Sequence, residues 1–407
     1  PISEGLGTAF AGATAGYGDG SEVFFNPAAM GSEELSCTTV TATGNLISPQ
    51  AKFTNQGSTI NPALGGSPLA GDNGPDGGEK AFVPNLYIVQ PLDDKFTAGF
   101  GVNAPWGLAT EYSREWVGRY HAVRSELMAL NLNPALSYNV TPDFSIGAGM
   151  QVMYVDAELS NMIDFGTIGV GAFGLPTASR MGLLPQAADG YGKVSVDDWA
   201  YGYSLGASYR YDKKSRIGLA YRSQSDVKIS GDAEFEVPAA ALPLTASGYF
   251  TDTNAGADIT LPDTLSMGAV HWLTDDFALL GEVQWMNWST FDELRIKYGS
   301  GQPDTVVDES WNDAWRFSVG AIYRLSDSWS LKAGYTHDQT PVPGREHRTP
   351  RIPDNDRDWM ALGTSYAFSD NWSLSASYAH LFIKDSETEF SSSTGDVLKG
   401  DWETSVD

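Results

Sequence analysis

Few residues in this 407-residue sequence stand at spacings that could carry covalent chemistry. Gly202-Tyr203-Ser204-Leu205-Gly206 has the form of a nucleophile elbow, which needs a sharp strand-to-helix turn to lift its serine. Those residues lie inside the alternating stretch Tyr201–Tyr211, so Ser204 reads as a small inward residue of a strand. Gly169-Val170-Gly171-Ala172-Phe173-Gly174 has the glycine spacing of a dinucleotide loop, but no βαβ unit surrounds it, and it reads as a flexible apolar loop. His121, His271, His337, His347 and His380 lack metal-ligand spacing, and only His337-Asp338 hints at acid–base work. Asp72, Asn73, Asp76 and Glu79 in a glycine-rich loop could hold a calcium ion or simply be solvated. Cys37 stands alone, so no intrachain disulfide can form. No catalytic set, metal site or cofactor is implied.

The elements that would position a site follow from composition and period. With 25 Lys+Arg against 51 Asp+Glu the net charge is −26, which opposes the clustered cations that nucleic acid binding requires. No window approaches the roughly 18 consecutive apolar residues of a membrane-spanning helix. The 44 glycines and 21 prolines disfavour long helices, while 12 Trp, 18 Tyr and 18 Phe favour strands. No export signal stands at Pro1, so the chain either never had one or has lost it.

After residue 35 no amphipathic helix is expected. Segments of about ten residues instead alternate between apolar and small or polar side chains, as in Phe144–Tyr154 and Trp329–His337. Thirteen strands are predicted, near 35–47, 81–90, 96–106, 126–138, 144–156, 197–211, 216–229, 263–273, 277–296, 314–325, 329–338, 357–368 and 372–385. Val397–Asp407 reads as the start of a fourteenth that continues beyond this chain. Tight turns such as Asp93-Asp94-Lys95 and Ser326-Asp327-Ser328 alternate with long segments, 48–80, 107–125, 157–196, 230–262, 297–313, 339–356 and 386–397. Short turns at one end and long loops at the other fit an antiparallel transmembrane β-barrel of the outer membrane. Phe96, Phe144, Phe277, Trp329 and Trp372, with Tyr138, Tyr211, Tyr323 and Tyr366, would ring its interface. A soluble β-sandwich is the competing fold, but its two faces seldom give this long–short alternation.

Three departures from a plain barrel point to a route for a greasy solute. The long segments carry Phe165, Ile168, Phe173, Leu175 and Leu183 in one, and Val237, Leu242, Leu244 and Phe250 in the other. Exposed apolar surface costs about 25 cal/mol per Å², so these loops must cover each other, the membrane or a ligand. Pro105 and Pro134 interrupt successive strands and remove ladder donors, which marks a bulge or a local opening in the wall. Residues 1–34, with Phe24-Phe25-Asn26-Pro27-Ala28 near their end, lack alternation and read as a compact plug of the bore.

The stretches Asn26-Pro27-Ala28, Pro105-Trp106-Gly107-Leu108, Leu130-Asn131-Leu132-Asn133-Pro134-Ala135, Leu261-Pro262-Asp263, Asp338-Gln339-Thr340-Pro341-Val342-Pro343 and Pro353-Asp354-Asn355-Asp356-Arg357 together resemble the FadL family of outer-membrane transporters for long-chain fatty acids and other hydrophobic compounds. The resemblance implies a 14-stranded antiparallel barrel over 35–407 with an N-terminal hatch over 1–34. It also implies an outer groove between two loops, an inner pocket, and lateral release through a kinked third strand. Carried over, Asn26, Pro27 and Ala28 match the hatch motif, and Pro105 and Gly107 fall in the third strand. On the inward face Arg222 and Arg316 are the candidates to meet a carboxylate bidentately. Should neither face the pocket, an aromatic hydrocarbon or alkane becomes the better substrate. The expectation is passive uptake by a monomer in outer-membrane lipid. An outer-membrane lipid hydrolase using His337 or Ser204 and a water-filled porin or adhesin are the alternatives.

Overall fold

The computed structural model describes residues 3–407. Period-two alternation produces twenty strand segments that hydrogen-bond into one antiparallel sheet. They are β1 (Thr39–Ile47), β2 (Pro49–Asn55), β3 (Ala81–Pro91), β4 (Phe96–Glu111), β5 (Arg124–Thr141), β6 (Phe144–Asp164), β7 (Asp189–Arg210), β8 (Ser215–Arg222), β9 (Ser225–Glu236) and β10 (Thr253–Leu261) in the first half. The second half adds β11 (Thr264–Trp272), β12 (Phe277–Met286), β13 (Glu293–Tyr298), β14 (Thr305–Asp308), β15 (Ala314–Ser326), β16 (Trp329–Asp338), β17 (Arg357–Ser369), β18 (Trp372–Ile383), β19 (Ser386–Ser391) and β20 (Val397–Val406). Six pairs, β1/β2, β8/β9, β10/β11, β12/β13, β14/β15 and β18/β19, continue in one direction across a short break. Twenty segments less six continuations leave fourteen traverses. The sheet closes on itself where β2 meets β20, with Pro49 opposite Val406 and Asn55 opposite Gly400.

The faces are inverted relative to a water-soluble β protein. Large apolar side chains such as Leu46, Phe82, Tyr201, Leu362 and Trp372 stand exposed on the outer face. Buried Ser137, Ser145, Ser208 and Thr336 line the inner one. Such a surface is stable only against lipid, which excludes the sandwich. Near the tight turns the expected rings meet in pairs, Phe96 with Tyr138 at 5.0 Å and Trp329 with Tyr366 at 6.1 Å.

Two expectations need correction. The segments 157–196 and 230–262 are strand at both ends, because β6 and β7 run 21 and 22 residues, well past the 9–11 or so that cross a bilayer, and β9 and β10 extend into the second segment. Alternation continues there in polar residues, and Asp156 still opposes Asp197. Helices also occur beyond residue 35. Besides α1 (Ser3–Gly7) and α2 (Glu22–Phe25), the chain forms α3 (Phe165–Phe173) and α4 (Leu175–Met181) where a flexible glycine loop was expected. Asp164 caps α3 by accepting from Thr167 N at 3.0 Å and Thr167 Oγ1 at 2.6 Å. Gly169 lets the Leu183 side chain press onto the helix, 2.7 Å from where a Cβ would stand.

Residues 3–35 fill the bore. They touch the inner wall nearly all the way round, from Val89 of β3 beside Gly20 to Ser377 of β18 beside Gly7. Wall glycines permit this approach. A Cβ on Gly147, Gly206 or Gly218 would lie 2.4 Å from Ala28 N, 2.0 Å from Asn26 Oδ1 or 1.9 Å from Thr14 O.

Candidate functional site

Asn26 organises the plug. Its Nδ2 donates to Thr14 O at 2.7 Å and to Ala207 O of the wall at 3.1 Å, while its Oδ1 accepts from Ala28 N at 3.1 Å. Pro27 then starts a single helical turn, Pro27–Gly31, whose Ala28 O accepts from Ser137 Oγ at 3.0 Å and Ser145 Oγ at 2.8 Å. On another wall Thr14 donates its N–H, at 3.1 Å, and its hydroxyl to the buried carboxylate of Glu282. Each anchor engages backbone of the plug, Ala28 O in one and Thr14 N in the other, so together they hold one particular plug conformation rather than a generic surface.

Above the plug lies a cavity of about 160 Å³, reached by Phe24 and Phe25 from below. Arg222 and Arg316 both line it, as inward parity predicts. Arg222 donates to Phe24 O at 2.6 Å, and its guanidinium lies 3.7 Å over the Phe24 ring. Arg316 stands 5.8 Å over the Phe10 ring. The Nε of each has no partner, and among the described residues neither arginine reaches a carboxylate. Ser204, Ser266 and Gln284 supply neutral polar lining; Trp106 and Met286 supply apolar lining.

The wall beside this cavity is irregular at the two expected prolines. Between β4 and β5, Asn103 opposes Asn131 and Trp106 opposes Ala129, so Ala104 and Pro105 together face Leu130 as a bulge. The extra residue reverses the parity of β4. Asn103 points inward before the bulge and Trp106 after it, while Gly107 faces outward, where a Cβ would stand 3.8 Å from Leu127 O. Between β5 and β6 the ladder breaks at Asn133–Pro134, resuming with Ala135 opposite Gly149. Gly107 and Pro134 are both exposed on the outer face.

The two apolar segments do come together, although not as an open groove. Phe165 and Leu183 are fully buried, so they form the core between the segments and offer a ligand no surface. Ile168, Phe173, Val237, Leu244 and Phe250 pack half-buried against that core, with Phe250 4.9 Å from Phe165. Leu175 and Leu242 remain outside it at 57% and 56% exposure. The other candidates are dispersed. His337 pairs with Asp358 at 2.9 Å, on the opposite side of β16 from inward Asp338. Asp72, Asn73 and Asp76 accept from backbone, Asp72 from Gly74 N of its own loop at 2.9 Å, and Asn73 and Asp76 from Asn55 N and Ala51 N of β2 at 3.0 and 2.7 Å. Trp106, Gln284 and Glu282 were missed; inward parity on β12 could have found the last two.

The whole chain, residues 2–406, matches the model of the outer membrane protein transport protein family (OMPP1/FadL/TodX). The chain belongs to that family. It is 30% identical over 381 residues to outer membrane protein P1 of Haemophilus influenzae, covering 88% of this chain and 80% of that one. It is 29% identical over 374 residues, with the same coverage, to the long-chain fatty acid transport protein of Escherichia coli. Among solved structures, a Pseudomonas aeruginosa FadL homologue superposes with a TM-score of 0.91 at 24% identity, covering 100% of this chain and 96% of that one. The Pseudomonas putida toluene transporter TodX gives a TM-score of 0.71 at 16% identity, covering 100% and 97%. These two likenesses concern the fold. As a member of this family the chain is an outer-membrane β-barrel, and its relatives are transporters.

Proposed function

We propose that this family member takes up amphiphiles with a long apolar tail and a carboxylate head, of the long-chain fatty acid class. The observation that carries this reading is the pair Arg222 and Arg316, which line one cavity and reach no carboxylate among the described residues. A buried guanidinium is costly to leave uncompensated, and a carboxylate accepts from it bidentately. An alkane or aromatic hydrocarbon would bring no charge to offset either guanidinium, so it ranks below an acid.

In this reading the tail is captured on the apolar body of α3, α4 and 237–250, beside Leu175 and Leu242. The head then settles between Arg222 and Arg316. Residues 1–34 act as the hatch and 35–407 as the barrel, with Phe24, Phe25, Asn26, Pro27 and Ala28 as the moving gate. A ligand that binds better to a shifted hatch populates that state, and no energy input is required. Release runs sideways through the wall at Pro105, Gly107 and Pro134 into outer-membrane lipid. The protein works as a monomer and makes or breaks no covalent bond.

The test offers fatty acids, alkanes and monoaromatics in parallel to a deletion strain carrying the wild type or Arg222→Met/Arg316→Met. Acid uptake by the wild type and its selective loss in the double variant are expected. Equal acid uptake by both proteins overturns the reading.

A further inference from the structure

On the inner wall of β4–β7, directly behind the two proline irregularities, five neutral polar side chains are buried with atoms left unpaired. Asn103, Asn131, Asn133, Gln151 and Ser204 are each at most 3% exposed. Among the described residues Asn103 Nδ2, Asn131 Oδ1, Asn133 Oδ1, Gln151 Nε2 and Ser204 Oγ meet no hydrogen-bond partner. Register makes them neighbours: Asn103 opposes Asn131, at 3.3 Å between the two amides, while Gln151 opposes Gly202 and Ser204 opposes Gly149. Gly149 carries no side chain between Ser204 Oγ and Asn133 Nδ2, which stand 2.8 and 3.2 Å from where its Cβ would be. Ser204 also lines the arginine cavity, so the two sites share a border.

Unpaired buried polar groups are expensive, and a native wall rarely keeps five together without something to bond them. Whichever way each amide is turned, the group offers both donors and acceptors and no charge. That suits a neutral head which itself donates and accepts: a hydroxyl, or a carboxyl that has taken a proton from hydronium in the lumen. A hydrocarbon satisfies none of these atoms. A carboxylate can use the donors but leaves the acceptors bare.

We propose that Asn103, Asn131, Asn133, Gln151 and Ser204 form a second head-group station, which receives the uncharged polar head of an amphiphile between the arginine cavity and the wall opening. This rests on the lateral-release reading above and adds that the head leaves the arginines neutral, the form that lipid accepts at least cost.

The test uses palmitic acid, hexadecanol and hexadecane, which share one chain length, in cells expressing the wild type or Gln151→Met/Ser204→Ala. Both substitutions delete only unpaired atoms, so thermal stability should hold or rise. Uptake of the acid and the alcohol should fall about tenfold, the weight of one net hydrogen bond, with hexadecane unchanged. Unchanged uptake of all three overturns the proposal, as does a parallel fall of all three. Arg222→Met separates the readings: it should impair the acid and spare the alcohol, and unimpaired acid uptake there rejects the arginine site alone. A wild type that carries hexadecane only, or none of the three, overturns both.

Discussion

Asn133 donates its side-chain amide to Met150 O at 2.8 Å, opposite Pro134, which has no N–H to give. The asparagine thus stands in for the ladder bond that the proline removes, and the β5–β6 seam is held by a side chain instead of by backbone. Four residues away along the strand, Ala104 and Pro105 bulge against Leu130 on the other edge of β5. Strand β5 is therefore weakly tied on one edge at Leu130 and on the other at Pro134, within four residues.

A wall with these ties restored should not open. Deleting Ala104 together with Pro105→Val and Pro134→Val removes the bulge and returns both missing donors. Purified variant protein should bind fatty acid as the wild type does, while uptake into cells drops to background. Normal uptake would reject the lateral route.

The Thr14–Glu282 contact predicts how firmly the plug is seated. A hydrogen bond contributes about 0.5–1.5 kcal/mol net, and Glu282 accepts two from Thr14. Glu282→Leu should therefore speed amide exchange across residues 8–16 by roughly ten- to a hundredfold. Exchange at wild-type rates would show that the plug is held elsewhere.

Much of this arrangement is legible in residue order, because parity alone tells which side of a strand meets lipid. Arg222 and Arg316 were found that way, and so was the inward position of Ser204. What parity cannot give is who meets whom. Arg210 and Arg216, a few residues before Arg222, find Glu33 and Glu34 of the plug at 3.0 Å each, whereas Arg222 finds only a carbonyl and a ring. That difference is decided by the fold of residues 3–35, not by the strand. Nor did two prolines announce that β4 would change parity at Pro105 and send Trp106 inward, since a bulge depends on its partner strand. Helix α3 escaped because its cap residue, Asp164, is itself the last residue of β6, so the alternating run passes into the helix without a break.

The wall glycines offer a graded test of plug fit. A Cβ on Gly206 would fall 2.0 Å from Asn26 Oδ1 and one on Gly218 1.9 Å from Thr14 O, whereas Gly281 has nothing within 4 Å. Gly206→Ala and Gly218→Ala should displace the plug and raise ion conductance in planar bilayers, and Gly281→Ala should match the wild type. A silent Gly206→Ala would mean that the Asn26 anchor is dispensable.

Finally, the plug should loosen as pH rises. Burial pushes the Asp19 carboxyl up from 3.8 to about 7, and the neighbouring Glu22 adds to the shift. Asp19 accepts from Ser21 N at 3.0 Å and Ser21 Oγ at 2.6 Å, while its second oxygen has no partner among the described residues. Because the folded value is raised, the folded chain holds this proton where the unfolded chain has lost it. The stabilising contribution is full below about pH 3.8 and disappears as pH climbs through about 7. Proteolysis of residues 3–35 should then be slower at pH 5 than at pH 8 in the wild type. Asp19→Asn, which cannot ionise, should flatten that dependence, and a slope unchanged by the substitution would assign the effect to another group.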